Sequence, residues 1–402
     1  MRKKLQAACV VAGMSILVAG CASKDVSSEQ GKETVSEHST NEPATSTSDT
    51  AISISSELEN IPTFSGELDF DYVYGTDAQS EIGDYVTCAY TADGKYYMKP
   101  TNEYNDNNIL YYYDYATDQT VPVCSKSNCE HNEEKCDAFF SGEQYFNVPS
   151  FWYYEDSLYI PMKEDDYLYF EKISPDGSTR EKAGVILRWE DKVTVNLDGT
   201  ESVDMTFPVG QLHRGYMYFT NYSLGDKNVK LYRSELGSSD NAEVIFSLEG
   251  NNPGMFNIKP YGRYVLFQMC NFSDDYLDYK GGTYAYDTEN GSISLIAEDM
   301  MGNYIIIENR MYYNDQKNCI YCKDLKSGEV SMLFDGLELE KGYATTLFAK
   351  DGGFVYQIDN NLGEISEQIV FDLEGKEQER LDLEVGEGEV EAFEPYSFVA
   401  KE

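Results

Sequence analysis

The amino-acid sequence predicts an all-β protein, a β-propeller of six antiparallel blades that follows a disordered N-terminal tether. Three observations support this prediction. A short turn–strand cassette occurs six times, and its later copies begin about 45 residues apart, a spacing typical of propeller blades. A second strand and a second polar turn follow each copy. The 34 Tyr, 19 Phe and 2 Trp all lie at or after Phe64, so a polar segment precedes the folded part.

The first twenty residues are typical of an export signal. Arg-Lys-Lys at 2–4 precedes an apolar run at 5–18, which is too short for a permanent membrane span. Small residues at 18–20 stand directly before Cys21, and this arrangement resembles the lipobox of bacterial lipoproteins. The resemblance implies a diacylglyceryl group on the Cys21 thiol and cleavage of the chain before it. The alternative is an ordinary secretory signal that happens to contain cysteine. We expect a cell-membrane lipoprotein whose domain lies on the outer, extracytoplasmic side.

A tether follows the signal. Fifteen of the 39 residues at 22–60 are Ser or Thr and none is aromatic. Such a segment buries too little apolar area to offset its conformational entropy. The sequence therefore predicts a signal peptide at 1–20, a lipid-anchored disordered linker at 21–60 and a propeller domain at 61–402.

The charge excludes two classes of partner. The chain carries 71 acidic and 31 basic residues, a formal net charge of −40. A protein that binds nucleic acid needs a basic face, and adhesion to anionic lipid headgroups needs one as well. We therefore expect no nucleic acid as a partner and contact with the membrane through the lipid anchor only.

The repeats predict the strands. Each cassette starts with a polar turn and continues as a strand rich in Tyr, Phe and β-branched residues. Gly and Asn in these turns supply the positive φ that tight hairpins require. Two unrelated β-sandwiches are the alternative fold, but sandwiches do not repeat one cassette six times. Phe64–Tyr74 and Phe393–Val399 are also strand-like and are candidates for closing the ring. The six copies are Asp93–Met98, Glu155–Ile160, Arg214–Phe219, Gly262–Phe267, Glu308–Tyr313 and Asp351–Tyr356.

Two of these strands carry a resemblance to a known group of proteins. Met217–Asn221 and Met311–Asp315 resemble the "YYTN"-type strand of DUF5050 and TolB-like six-bladed propellers, which are often exported lipoproteins of Firmicutes. The resemblance implies the fold and assigns no catalytic residue.

One local cluster of cysteine and histidine stands out. Cys124, Cys129, His131 and Cys136 follow a C-x4-C-x-H-x4-C spacing, which resembles a segment that recurs in clostridial propeller lipoproteins. Three thiolates and one imidazole suit a structural zinc site. An exported domain also permits disulfides, which slightly favours a disulfide within this segment, and free thiols are the third alternative. The first two alternatives are both structural, because four protein ligands leave zinc no open position for a substrate.

The remaining cysteines and histidines offer little chemistry. Cys319 and Cys322 mimic a C-x-x-C pair, but in a strand such positions point to opposite faces, so we expect ordinary strand residues. Cys88 and Cys270 are expected to be buried apolar residues. A satisfied structural role is expected for His213.

Enzyme signatures are missing from the sequence. It contains no G-x-S-x-G elbow, P-loop or G-x-G-x-x-G, and no motif requires a cofactor. Residues 174–179 begin like a sialidase Asp-box but lack its Trp. The sequence thus favours a non-catalytic module that binds a protein or a carbohydrate at the cell surface. The alternatives are a glycan-active enzyme with paired carboxylates at the propeller channel and an accessory protein of envelope assembly.

Overall fold

The computed structural model describes residues 56–64, 88–142, 151–188, 192–195, 201–204 and 209–382. Short gaps in these ranges are 92, 102–106, 132–134, 165–166, 221–225, 274–278, 299–301, 316, 340–342, 351 and 361–364. The export signal, Cys21, most of the tether and Phe393–Val399 lie outside the described residues.

Six antiparallel sheets follow one another along the chain, and each contains four consecutive strands in up-and-down order. This is a six-bladed β-propeller, as the repeats predict. The first three blades and the elements between them have the following bounds. Blade 1 consists of β1 (Cys88–Tyr90), β2 (Gly94–Pro100), β3 (Asn108–Asp114) and β4 (Gln119–Pro122), with β5 (Phe139–Phe140) also paired to β3. Blade 2 consists of β6 (Trp152–Tyr154), β7 (Ser157–Glu164), β8 (Tyr167–Ile173) and β9 (Arg180–Arg188). A separate hairpin pairs β10 (Lys192–Val195) with β11 (Glu201–Asp204). Blade 3 consists of β12 (Val209–His213), β13 (Tyr216–Thr220), β14 (Asn228–Glu235) and β15 (Glu243–Glu249).

The last three blades repeat the same order. Blade 4 consists of β16 (Pro253–Tyr261), β17 (Tyr264–Phe272), β18 (Tyr279–Asp287) and β19 (Ile293–Glu298). Blade 5 consists of β20 (Tyr304–Ile307), β21 (Arg310–Asn314), β22 (Ile320–Asp324) and β23 (Val330–Phe334). Blade 6 consists of β24 (Ala344–Lys350), β25 (Gly353–Asp359), β26 (Ile365–Asp372) and β27 (Glu377–Asp382).

Aromatic side chains pack between neighbouring blades. Tyr96 of blade 1 stacks on Tyr153 of blade 2 with ring centroids 5.7 Å apart, and Tyr312 of blade 5 lies 4.9 Å from Phe354 of blade 6. The second strand is buried on both faces in several blades, as in β17, where eight of nine residues are buried, whereas β2 of blade 1 is more exposed. Aromatic packing within and between blades thus accounts for much of the high tyrosine content.

In every blade the hairpin between the third and fourth strands contains a residue with a positive φ angle. Glycines at this turn hold φ angles of 72° to 80°, a region that residues with a Cβ rarely adopt. Blade 1 has Asp118 there instead, with a φ of 54°. The glycines are Gly177, Gly237, Gly291, Gly328 and Gly375.

The N-terminal end of the described chain packs on the outer edge of blade 4. A short helix α1 (Ser56–Asn60) places Leu58 in the core between blades 3 and 4. Thr63 forms a parallel bridge with Leu295 of β19, and the Phe64 ring packs edge-on against Tyr264. We call residues 58–64 the latch. The folded part therefore begins a few residues before position 61. No helix in the described ranges is long and apolar enough to span a membrane.

Candidate metal centre

The cysteine-containing segment is an excursion from the outer edge of blade 1. It leaves the sheet after Val123 and returns at Ala138, and both of these residues pair with Leu110 of β3. The Val123 amide donates to the Leu110 carbonyl at 2.9 Å, and the Leu110 amide donates to the Ala138 carbonyl at 2.9 Å. We call residues 124–137 the cysteine loop. Because the residues at its two ends pair with the same residue of β3, it is a compact Ω-type loop inserted between β4 and β5.

The loop brings its four predicted ligands together. The Sγ atoms of Cys124, Cys129 and Cys136 and a ring nitrogen of His131 all lie within 4.8 Å of one another. His131 Nδ1 is 3.3 Å from Cys136 Sγ. Ligand atoms around tetrahedral zinc are about 3.6–3.8 Å apart, given zinc bonds of about 2.0–2.3 Å. The cluster therefore has the donor set and nearly the spacing of a structural zinc site.

The backbone shape of the loop turns the ligands inward. Asn128 and His131 hold φ angles of 61° and 53°, so the chain bends sharply on both sides of Cys129. Cys136 is buried, whereas Cys124, Cys129 and His131 are half-buried. Both Cys124 and Cys129 pack against the core between blades 1 and 2. The cluster thus lies at the junction of these two blades with one side toward solvent.

The protein environment treats the three thiols differently. Burial alone would raise the pKa of Cys124, but hydrogen bonds from the backbone amides of Lys126 and Asp137 and from the other two thiols lower that pKa overall. Burial raises the pKa of Cys136 to about 12, although the Ala138 amide donates to its Sγ at 3.3 Å. Three adjoining thiolates repel one another, and a divalent cation would supply the charge that stabilises them.

Side chains outside the ligand set tie the loop together. Lys126 Nζ forms an ion pair with Asp137 Oδ1 at 2.6 Å and also donates to the Lys135 carbonyl. The Ser125 hydroxyl donates to Asp137 Oδ2 at 3.3 Å, and the Cys124 thiol lies 3.8 Å from the same oxygen. Asp137 therefore connects the start of the loop to its end. The sequence does not mark Asp137 or Lys126 as functional residues, because a lone charge pair in a polar loop has no distinguishing pattern.

The cluster is compatible with a structural zinc ion, one of the alternatives that the spacing of these residues leaves open. All seven described cysteines carry free thiols in the structure. A disulfide would use two of the three sulfurs and leave His131 without a role, whereas the observed cluster includes all four side chains.

The structure also locates the other cysteines and His213. Cys270 is buried, as expected, whereas Cys88 is only half-buried. Cys319 precedes β22 and Cys322 lies within it; both are buried free thiols. His213 is buried, and its Nε2 lies 2.6 Å from the Gly262 carbonyl of the next blade. His213 thus has the structural role that the sequence predicts.

Comparison with known proteins finds distant structural similarity only. No family model matches the chain, and no curated protein matches it. Among solved structures it is similar to TolB from Acinetobacter baumannii, with 13% identity and a TM-score of 0.32, over 67% of this chain and 61% of TolB. It is also similar to the propeller domain of the Trilobed protease from Pyrococcus furiosus, with 15% identity and a TM-score of 0.42, over 75% of this chain and 85% of that domain. A third similar structure is the acylaminoacyl peptidase of Pyrococcus horikoshii, with 15% identity and a TM-score of 0.42, over 74% of this chain and 45% of the peptidase. The chain thus spans less than two thirds of TolB and less than half of this peptidase.

Proposed function

We propose that this chain is a lipid-anchored, non-catalytic binding propeller in which a structural zinc ion holds the cysteine loop. The observation that carries the proposal is the cluster of three thiols and one imidazole within 4.8 Å at the junction of blades 1 and 2. A closed set of four protein ligands is characteristic of structural zinc, since catalytic zinc keeps one position for water or substrate. The bound ion would order an otherwise polar loop and leave a rigid disc with exposed loops.

Zinc content tests the metal. We expect one zinc per chain in protein purified under reducing conditions, measured by elemental mass spectrometry. His131→Ala removes one ligand, so it should weaken zinc binding at least tenfold and lower the melting temperature. His38→Ala is the matched control, because it removes a histidine from the tether. Unchanged zinc content and stability in His131→Ala, together with an intact disulfide within the loop by mass spectrometry, would show that the disulfide alternative is correct.

Membrane attachment tests the anchor. The lipobox-like residues before Cys21 support a lipid on that thiol, and Cys21→Ser removes the acceptor. We expect the wild-type protein to partition into the detergent phase and the variant to partition into the aqueous phase. A variant that still partitions fully with membranes would contradict lipid anchoring at Cys21.

Binding without turnover tests the class of protein. We expect the zinc-loaded protein to retain a cell-surface protein or an envelope glycan without altering it. Tyrosine rings suit the apolar faces of sugars, which supports a glycan as one alternative. Release of reducing ends from isolated envelope polysaccharide would instead identify a glycan-active enzyme and overturn this part of the proposal.

A further inference from the structure

Blade 2 touches the cysteine loop at its first end. The β8–β9 hairpin contains the Asp-box-like residues 174–179, and Gly177 at its tip lies against the carbonyl of Val123. A Cβ on Gly177 would lie 2.2 Å from that carbonyl oxygen and 3.2 Å from the Cys124 amide nitrogen. Real Cβ atoms do not approach oxygen so closely. The hairpin therefore fixes the position of the residue that immediately precedes the first ligand, Cys124.

The same hairpin holds the other end of the loop through Arg180. Its Nη1 donates to the carbonyls of Asp137 and Phe139 at 2.9 and 2.8 Å. Its Nε and Nη2 donate to the two carboxylate oxygens of Glu171 at 2.9 and 2.6 Å, which fixes the plane of the guanidinium. The guanidinium also lies 4.3 Å from the centre of the Phe140 ring. Arg180 thus holds the backbone that immediately follows the last ligand, Cys136.

We propose that Gly177 and Arg180 are positioning residues for the metal centre, so that metal binding in blade 1 and docking of blade 2 are coupled. All four ligands belong to the loop of blade 1, yet both ends of this loop are held by one hairpin of blade 2. Contacts behind the ligands set their geometry and strongly affect metal affinity. Coupling is reciprocal, so the metal must stabilise the hairpin as much as the hairpin stabilises the metal. The inference rests on the proposed zinc site.

A pair of glycine variants tests the first contact. Gly177→Ala and Gly328→Ala both place a methyl group at a positive φ, 72° and 74°, in the hairpins between the third and fourth strands of blades 2 and 5. Nothing lies within 4 Å of a Cβ at Gly328. Both variants therefore put alanine at a φ that it rarely adopts, and only Gly177→Ala pushes on the cysteine loop. In a chelator competition we expect Gly177→Ala to bind zinc about 10–100-fold more weakly, and Gly328→Ala to match the wild type.

A pair of arginine variants tests the second contact. Arg180 binds the Glu171 carboxylate with two of its nitrogens and two backbone carbonyls with the third. Lysine keeps the charge but has a single nitrogen, so Arg180→Lys should also weaken zinc binding. Arg380→Lys is the control, because Arg380 of blade 6 also binds a glutamate, Glu377, with two nitrogens. The absorption spectrum of bound cobalt reports on the geometry of the ligands, and a general loss of stability does not change it. We expect the tetrahedral cobalt spectrum of the wild type in Arg380→Lys, and a weakened or shifted spectrum in Arg180→Lys.

A measurement on the wild-type chain covers the case in which a variant fails to fold. Zinc removal should speed hydrogen exchange at residues 173–180 and leave residues 324–330 in the matching hairpin of blade 5 unchanged. If wild-type protein binds neither zinc nor cobalt, the proposed metal site is wrong. A second outcome would refute the coupling alone. In that case the wild type, Gly177→Ala and Arg180→Lys bind zinc equally well, and zinc does not change hydrogen exchange at residues 173–180. The metal site would then be correct and the coupling wrong.

Discussion

Asp359 shows how one half-buried carboxyl can make stability depend on pH. It ends β25, and its Oδ1 accepts a hydrogen bond from Gln357 Nε2 at 3.0 Å. Gln357 in turn accepts from Gln368 at 2.8 Å, and both glutamines are buried. Burial raises the pKa of Asp359, although the bond from Gln357 works in the opposite direction. The fold therefore binds the proton of Asp359 more tightly than the unfolded chain does.

Asp359→Asn should separate this effect from the rest of the fold. With a raised pKa, Asp359 contributes stability below its unfolded pKa and loses that contribution as pH rises through its folded value. We expect the variant to gain melting temperature relative to the wild type as pH rises from 4 to 7. Asp240→Asn, at an exposed position, should show no such trend. A difference between Asp359→Asn and the wild type that does not vary with pH would contradict the assignment.

The sequence revealed the ligands of the metal centre but not the residues that support them. Cys124, Cys129, His131 and Cys136 stand within one short segment, so their spacing alone predicts a shared site. Arg180 reaches the loop across 43 residues of sequence and a blade boundary. Such a contact depends on how two sheets pack, which local pattern does not encode.

At the scale of the element, an aspartate caps four of the six hairpins between third and fourth strands. In blades 1, 4, 5 and 6 the third strand ends on an Asp whose Oδ1 accepts a backbone amide of the turn, as in Asx turns. Asp324 accepts from the Lys326 and Ser327 amides at 3.0 and 2.7 Å. The equivalent residues are Asp114, Asp287 and Asp372. The third strands of blades 2 and 3 end on Ile173 and Glu235 instead.

Asp324→Ala should lower the melting temperature, and Asp324→Asn should restore most of it because the amide oxygen still accepts. Hydrogen bonds from the Ser327 amide and hydroxyl lower the pKa of Asp324. A carboxylate whose pKa is lowered by folding contributes stability at pH values above its unfolded pKa, and this contribution is lost as the pH falls. We therefore expect the deficit of Asp324→Ala to be largest near neutral pH and to shrink in acid. An equal deficit at pH 7 and pH 3 would show that the carboxylate charge is irrelevant.

The six cassettes located the middle strands of every blade but not the innermost ones. The predicted Gly262–Phe267 and Glu308–Tyr313 fall on β17 and β21, which are buried and rich in aromatic residues. The innermost β16 starts with Pro and Gly and shifts register between Phe256 and Lys259. An interrupted strand of this kind lacks a regular alternation, so sequence periodicity does not reveal it. The sequence does not predict the hairpin β10–β11 either, because its residues belong to none of the repeated cassettes.

For the whole molecule, the latch fixes where the N-terminal segment joins the disc. Leu58→Ala removes a side chain that is 9% exposed and should destabilise the latch by about 2 kcal/mol. The amide of Phe64 donates to the Leu295 carbonyl at 2.8 Å, so its hydrogen exchange reports on opening. We expect this exchange to speed up in Leu58→Ala and to stay unchanged in Val330→Ala, at a site that is 49% exposed. Unchanged exchange in Leu58→Ala would show that Leu58 does not hold the latch.

The latch also has a mechanical consequence for a chain anchored through Cys21. Any pulling force between the membrane and the propeller enters at Leu58 and reaches β19 of blade 4 first. There the Leu295 amide donates to the Pro62 carbonyl at 2.9 Å, and the Leu295 carbonyl accepts from Phe64. These two backbone bonds, the burial of Leu58 and the packing of Phe64 on Tyr264 together are weaker than a four-stranded blade. Under tension the latch would therefore yield before any blade, lengthening the tether while the disc and its metal centre stay intact.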